Sequence, residues 1–361
     1  MTSERLVLTR SRAWDVARSA HRAVSWTRVG IVAGAYVLCL VSFAAFAAWR
    51  GANPLTLIPT MLQSSLLEPS ALAQTLLRAV PIGFAALAVA VPARAGLVNV
   101  GGEGQLIIGA VAGAGVGIAV GAHVPGVVGV LLTVTAGTLA GGLWAAISGM
   151  LKVAFGAAES VTTLLMNFIA NDIMLFLIYQ PWKDPNGSGQ PQSRPLAASI
   201  RLQPLLGTGV TLAVVLLVVV TVGLWFVIRR TGWGFALRVV GGNPMAAMRN
   251  GLPTRRLSLS AMTVGGALAG LGGVLNLIGV EGQLRPDLTA TFGYVGFLAC
   301  FLGRNDPIRV ALAAILFSAI ALSGNGMQIS EGLDGSIVNV LLGAIVLTML
   351  TVGRRTKEAL T

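Results

Sequence analysis

GQLIIGAVAGAGVGIAVGAHVPGVVGVLLTVTAGTLAGGLWAAISGML, residues 104–151, contains no Asp, Glu, Lys or Arg. A helix needs about 20 apolar residues to cross the hydrocarbon core of a bilayer, within a range of about 17–25. The run is too long for one crossing, and Gly121, His123, Pro125 and Gly126 break it into two. The same reading extends outward in both directions. Further spans are expected at 29–49, 72–93, 160–180, 207–228, 257–279, 288–303, 310–324 and 336–353, ten in all. Arg78, Pro81 and Pro92 weaken the second, and the eighth is short. The expected fold is an all-α polytopic membrane protein of about ten transmembrane helices, some of them interrupted.

Composition agrees. Of 361 residues 55% are hydrophobic and 11% charged, with mean hydropathy +0.81. Soluble domains carry about 25% charged residues, so this chain could not cover itself with a polar surface. The net charge of +12 does not mark a nucleic-acid binder, because the basic residues lie between apolar spans. Cys39 and Cys300 sit in apolar runs and indicate no disulfide framework. His21 and His123 are isolated, so no metal site is expected.

Cytoplasmic loops of membrane proteins are enriched in Lys and Arg. With the N-terminus inside, the inner segments hold Arg5, Arg10, Arg12, Arg18, Arg22, Arg28, Arg94, Lys152, Arg229, Arg230, Arg238, Arg249, Arg255, Arg256, Arg304, Arg309, Arg354, Arg355 and Lys357. That is 19 of the 25 basic residues. Both termini are therefore expected in the cytoplasm, with the chain in a bacterial cytoplasmic membrane. The expected organisation is a basic segment 1–28, a transmembrane domain 29–353 and a tail 354–361. Within the domain, 181–206 forms an external loop and 229–256 a cytoplasmic one. The first span follows the basic segment without a convincing cleavage site, so an uncleaved anchor is expected. Five prolines in 181–204 suggest an ordered or semi-extended external cap.

Glycine is abundant, with 46 residues, and recurs at four-residue spacing. Gly109, Gly113, Gly117 and Gly121 form one series; Gly137 with Gly141 and Gly266 with Gly270 form two more. Small residues on one face let helix backbones approach closely, either inside the subunit or at a dimer seam. A second echo joins Gly101-Gly102-Glu103-Gly104-Gln105 to Gly279-Val280-Glu281-Gly282-Gln283. If the chain is two inverted five-helix halves, these occupy corresponding positions on opposite sides of the membrane.

Polar groups inside a membrane are costly and need a reason. Asn99, Glu103 and Gln105 lie in a glycine-rich break that lets the backbone leave helical geometry. They either line a path for a polar solute, or Glu103 satisfies free helix N–H groups or pairs with Arg94. Along the fifth span, Glu159, Ser160, Thr162 and Thr163 precede Asn167, Asn171 and Asp172. Asn167 and Asn171 share a face, which suits interhelical hydrogen bonds or a polar pathway. On the cytoplasmic side Gly242, Asn243, Pro244, Met245, Ala246, Ala247, Met248 and Arg249 read as a short capped helix. Asn243 is the N-cap, Pro244 the first helical residue and Gly251 the end. So short a helix is marginal alone, so it docks on a partner or anchors in lipid headgroups. No G-x-x-x-x-G-K-[ST], nucleophile elbow or H-E-x-x-H occurs. No catalytic residue is expected and the chain is not read as an enzyme. No cofactor is expected on it, and any ATP would bind a partner subunit.

These segments carry a family likeness. Asn99-Val100-Gly101-Gly102-Glu103-Gly104-Gln105 is similar to an N-I-G-x-E-G-Q signature, and Met166-Asn167-Phe168-Ile169-Ala170 to M-N-Y-I-A, with Phe168 for the usual Tyr. Gly241-Gly242-Asn243-Pro244-Met245-Ala246-Ala247 resembles a coupling segment that inserts into an ATPase, and the match continues through 296–328. Over residues 70–350 the chain resembles permease subunits of ABC importers in the ribose and branched-chain amino-acid superfamily. It looks closest to the nucleoside permeases served by basic-membrane-protein-type lipoproteins. The resemblance implies a pathway between two permease subunits, the second non-identical, with cytoplasmic ABC ATPases and an extracytoplasmic substrate-binding lipoprotein. It implies nucleosides as solute, with nucleobases or simple sugars behind. An ion-coupled secondary transporter using Glu103 and Asp172 is the reading from another class, and a membrane-embedded transferase lacks a cluster of catalytic groups.

Overall fold

A computed structural model describes residues 53–331 except 188 and 290, together with scattered positions between Gly34 and Trp49. The chain divides into two units, Leu62–Ser323 and Met1–Met61 with Gly324–Thr361. In the latter, the helix that starts at Pro54 is entered through Asn53, whose Oδ1 accepts from the Leu55 N–H. The unit Leu62–Ser323 is a helical bundle. Its helices are α1 (Pro69–Arg94), α2 (Gly102–Val120), α3 (Gly126–Phe155), α4 (Glu159–Tyr179), α5 (Leu212–Arg230), α6 (Gly232–Gly242), α7 (Pro244–Arg249), α8 (Thr254–Asn276), α9 (Phe292–Leu302) and the start of α10 (Pro307–Glu331). A wider turn, Leu277–Glu281, prolongs α8.

Among the described residues, seven helices are long and apolar enough to cross a membrane: α1 to α5, α8 with its extension, and α10. The protein is an all-α, multi-pass membrane protein. The expected break at 121–125 divides α2 from α3. The spans expected at 29–49 and 336–353 lie in whole or large part outside the described residues, as do the segments 1–28 and 354–361. The eighth span needs correction. Instead of a crossing over 288–303, α9 has 11 residues; at 1.5 Å per residue it is about 16 Å long, roughly half a membrane.

α1 is the axis of the bundle, with an unbroken buried run from Ala79 to Pro92. α3 and α5 instead expose Leu131, Leu139 and Leu143, and Val218, Val222 and Phe226. The two ends of the bundle differ. At one, the loop 181–206 is held by Ser193 N–H to the Leu284 carbonyl (3.0 Å), Leu196 N–H to Gly282 (2.9 Å) and Leu202 N–H to Ile278 (2.9 Å). The expected cap is therefore ordered, and it clamps the chain leaving α8. The other end carries Arg94, Arg229, Arg230 and Arg238.

The glycine series form one seam inside the subunit. A Cβ at Gly109 would lie 2.4 Å from the Gly270 Cα, and one at Gly270 would lie 2.4 Å from the Gly137 carbonyl oxygen. One at Gly141 would lie 2.5 Å from the Gly266 oxygen. α2, α3 and α8 thus touch backbone to backbone, with no side chain able to yield. Farther along α2, Gly117 and Gly121 admit Ile200 of the loop.

Gly270→Ala is expected to lower the stability of the detergent-extracted protein by about 2 kcal/mol or more through overpacking. Gly223→Ala, on α5 with open space around it, is expected to stay within about 1 kcal/mol of the parent and to move upward. Thermal unfolding of both variants checks the contrast.

Candidate functional site: two helix tips meeting inside the bundle

α1 and α2 are not joined at the end of the bundle. After Arg94 the chain turns back, with Gly96 at φ +76°, and residues 97–101 run inward beside α1. The Asn99 Nδ2 donates to the Ala88 carbonyl (3.1 Å), six residues before the end of α1. α2 therefore begins deep in the bundle, and a Cβ on Gly102 would pack against the Ala85 Cβ at 3.7 Å.

The other half of the chain does the same from the opposite end. Beyond α8, Gly282 (φ +73°) starts a return, residues 282–289, that carries the chain inward toward the tip of α9. The tips of α2 and α9 touch, since a Cβ on Gly293 would lie 2.2 Å from the Glu103 nitrogen. Two helix N-termini, each worth about half a positive charge, thus face one another in a water-poor interior. Glu103 lies between them, 8% exposed, and accepts from the Gly293 N–H (2.6 Å) and the Thr289 hydroxyl. Its carboxylate fills the anion position that a helix N-terminus creates. Thr291, the residue before α9, holds the left-handed conformation at φ +66°; such strain in a β-branched residue costs about 1–3 kcal/mol.

Two helices entering from opposite ends thus start inside the bundle, but the repeated Gly-x-Glu-Gly-Gln does not mark them. Glu103 is at the tip of α2, whereas Glu281 is at the far end of the α8 extension, and the counterpart of Gly102 is Gly293. Nor does Glu103 pair with Arg94, which donates to the Asn305 carbonyl instead (2.6 Å).

Within the inward run 97–101 the Leu97 N–H reaches the Pro92 carbonyl of α1 (3.1 Å) and the Gly101 carbonyl accepts from the Gln105 N–H of α2 (3.0 Å), while the groups between them turn to side chains. α4 supplies them from one stripe at four-residue spacing. The Glu159 Oε1 accepts from Val98 N–H (3.4 Å) and the Thr163 hydroxyl oxygen from Val100 N–H (3.1 Å). The Asn167 Oδ1 accepts from Gly104 N–H (2.8 Å), while its Nδ2 donates to the Val100 carbonyl (3.0 Å). Lys152 anchors Glu159 by an ion pair at 2.9 Å. Asn99 and Gln105 form a reciprocal amide pair at 3.0 Å, and Asn99 Oδ1 also accepts from Gly101 N–H. Asn99 therefore closes the turn before α2.

Of the six pathway residues expected from the sequence, Asn99, Glu103, Gln105 and Asn167 come together here. Asn171, one turn beyond Asn167, is half-buried, and Asp172 is exposed. Neither makes a hydrogen bond or ion pair among the described residues. Asp172 shares its surface with Phe168 (60% exposed) and Phe176 (63%).

Beside this node, at the loop end, lies a cavity of about 610 Å³. Its wall includes Gln74 and Arg78 of α1, Gln192 of the loop, Asn276 and Glu281 of α8 and its extension, and Arg285 and Asp287 of the return. Phe292, the residue before Gly293, also lines it, so the cavity reaches the tip of α9. These residues were missed from the sequence as a group. Arg78 and Asn276 carried a signal, as polar residues within apolar spans; Thr289 and Phe292 carried none.

The segment 242–251 also has the local structure its residues imply. The Asn243 Oδ1 accepts from Ala246 N–H (3.0 Å), Pro244 opens α7, and Gly251 closes it at φ +79°. α7 buries Ala247 and leaves Met245 (56%) and Met248 (55%) exposed.

Residues 71–351 match the family described as the branched-chain amino acid transport system permease component. The chain is similar to a glucose ABC transporter permease protein of Haloferax volcanii, at 30% identity with 83% of this chain and 81% of that one covered. It is also similar to a guanosine ABC transporter permease protein of Bacillus subtilis (30%; 76% and 79% covered). A nucleoside ABC transporter permease protein of Lactococcus lactis matches at 28%, with 82% and 83% covered. No solved structure matches. With the family pattern covering well over half its length, the chain belongs to this family of transport-system permease components.

Proposed function

We propose that the chain is the membrane-spanning subunit of an ATP-driven importer that moves nucleosides from the loop end of the bundle toward the basic end. The observation that carries this reading is the pair of helix tips meeting at Glu103, one of them reached at Phe292 by a cavity lined with polar and charged side chains. Transporters hold polar solutes where discontinuous helices end inside the membrane. Arg78, Arg285, Glu281 and Asp287 sum to zero formal charge around the cavity, which suits a neutral solute. Phe292 offers a base an aromatic face, and the amides of Gln74, Gln192 and Asn276 suit ribose hydroxyls. The guanosine and nucleoside relatives support this choice. The glucose relative favours a simple sugar as the second reading, for which the amides would serve without Phe292.

Asn99, Glu103, Gln105 and Asn167 act as the frame that holds the two tips on the route. Asn171 and Asp172 face a second, non-identical permease subunit, because a carboxylate among exposed phenylalanines would be costly against lipid. The basic end lies in the cytoplasm, a placement that the distribution of Lys and Arg supports, with the chain in a bacterial cytoplasmic membrane. There α7 docks on a cytoplasmic ABC ATPase, which binds the ATP. A six-residue helix is too short to persist for its own sake, and two exposed methionines offer an adaptable apolar contact. An extracytoplasmic lipoprotein delivers solute to the loop end.

Uptake of labelled guanosine by the reconstituted complex is expected to require ATP and to survive collapse of ion gradients. Uptake by this chain alone, driven by a proton or sodium gradient, would instead favour secondary transport. Phe292→Ala should raise the half-saturation concentration for guanosine about fivefold or more, since base stacking is worth about 1–3 kcal/mol. Glucose competing as well as guanosine would move the assignment to sugars. Met245→Asp with Met248→Asp should leave the amount of folded protein unchanged while abolishing solute-stimulated ATP hydrolysis by the partner. At the node, Glu103→Ala should cost about 1.5–3 kcal/mol for its lost charged hydrogen bonds. Glu103→Gln, which keeps an acceptor for Gly293, should cost less in the same melting assay.

A further inference from the structure

Arg94 ends α1, Arg229 and Arg230 end α5, and Arg238 lies on α6. All four line an open cavity of about 460 Å³ at the basic end, together with Ile228, Asp306 and Pro307. Asp306 is already engaged, with its Oδ2 at 2.9 Å from the Arg229 guanidinium and its Oδ1 facing the Arg309 N–H. Burial alone would raise the Asp306 carboxyl, but the hydrogen bonds and charges of Arg229 and Arg309 outweigh it and hold it below its ordinary value. It therefore stays ionised and offsets one guanidinium. Arg94 uses a single N–H, on the Asn305 carbonyl. Arg230 and Arg238 make no hydrogen bond or ion pair among the described residues. Arg230 and Arg238 thus converge on this concavity with no partner among the described residues, and Arg94 joins them with one N–H on a carbonyl and only the already engaged Asp306 as a nearby opposite charge. The positive-inside tendency accounts for arginines on this side of the membrane. It does not account for their convergence from three helices on one cavity.

The neighbouring surface indicates the occupant. Val215, Val218, Val219, Val222 and Phe226 are exposed along α5, an apolar face that runs up to Arg229 and Arg230. The Arg229 guanidinium lies 4.9 Å from the centre of the Trp225 ring. Tryptophan marks the boundary between acyl chains and headgroups, which sets the cavity at headgroup depth. We propose that this cavity binds the phosphate of an anionic phospholipid. Arg94, Arg230 and Arg238 hold the phosphate, and the acyl chains lie along α5. Guanidinium groups match phosphate oxygens with paired hydrogen bonds, and basic pockets on the cytoplasmic side favour anionic headgroups.

The test uses the full chain, delipidated in detergent, and its melting temperature as phosphatidylglycerol, phosphatidylcholine or inorganic phosphate is added. Phosphatidylglycerol should raise the melting temperature of the parent protein and phosphatidylcholine should not. In R230Q/R238Q, whose substituted residues hold nothing in place, the half-effective phosphatidylglycerol concentration should rise about 25-fold, roughly fivefold per charge. R255Q/R256Q, which removes two exposed charges outside the cavity, should leave it unchanged. Inorganic phosphate producing the same R230Q/R238Q-sensitive shift would keep the phosphate site and make its occupant a soluble phosphate compound. Equal loss in both double variants, or equal stabilisation by phosphatidylcholine, would overturn the proposal.

Discussion

Two helix N-termini repel one another when aimed tip to tip, and they leave donor groups that need acceptors. In this bundle α2 and α9 are aimed that way, and the Glu103 carboxyl, accepting from Gly293 and Thr289, makes the arrangement tolerable. Much of the surrounding architecture follows from it. The tips reach the interior only if the chain turns back after α1 and again after α8, and both returns expose backbone that helices would otherwise satisfy. α4 answers the first with Glu159, Thr163 and Asn167. For the second, the loop 181–206 clamps residues 282–284 and the Asn276 amide donates to the Leu288 carbonyl (3.0 Å).

The spans were legible because a membrane helix announces itself by length and apolarity, and these scarcely depend on tertiary context. The glycine series were legible as contact faces for a related reason, since spacing of four fixes a stripe on any helix. Their partners were not, because spacing does not reveal what lies opposite. α9 shows where hydropathy fails. Residues 288–303 are as apolar as a crossing, and only the path of 282–289 makes them half of one. The polar break at 99–105 stood out against its apolar surroundings. Thr289, which shares the carboxylate 186 residues away, looks like any loop threonine. The likeness of Glu103 to Glu281 misled because it followed letters rather than the inversion of the backbone.

α9 is held at both ends. Its first turn is tied to Glu103, while beyond its last residue Asn305 accepts from Arg94 and Asp306 pairs with Arg229. Arg229 closes α5, and α6 and α7 follow directly. α9 thus spans from the 610 Å³ cavity, at Phe292, to the end of the bundle from which α6 and α7 continue.

The cap on α9 is lent by residues made long before it. Chains are synthesised at about 5–20 residues per second, and Gly293 follows Glu103 by 190 residues. For roughly 10–40 s, α2 is in or near the bilayer with its carboxylate lacking the partners it will keep. The glycine seam has the same delay, since Gly109 and Gly137 await Gly270. The contacts among α1 to α4, such as Asn167 on Gly104, can form as soon as those helices exist, whereas the partners of Glu103 and the far side of the glycine seam come only with α8 and α9.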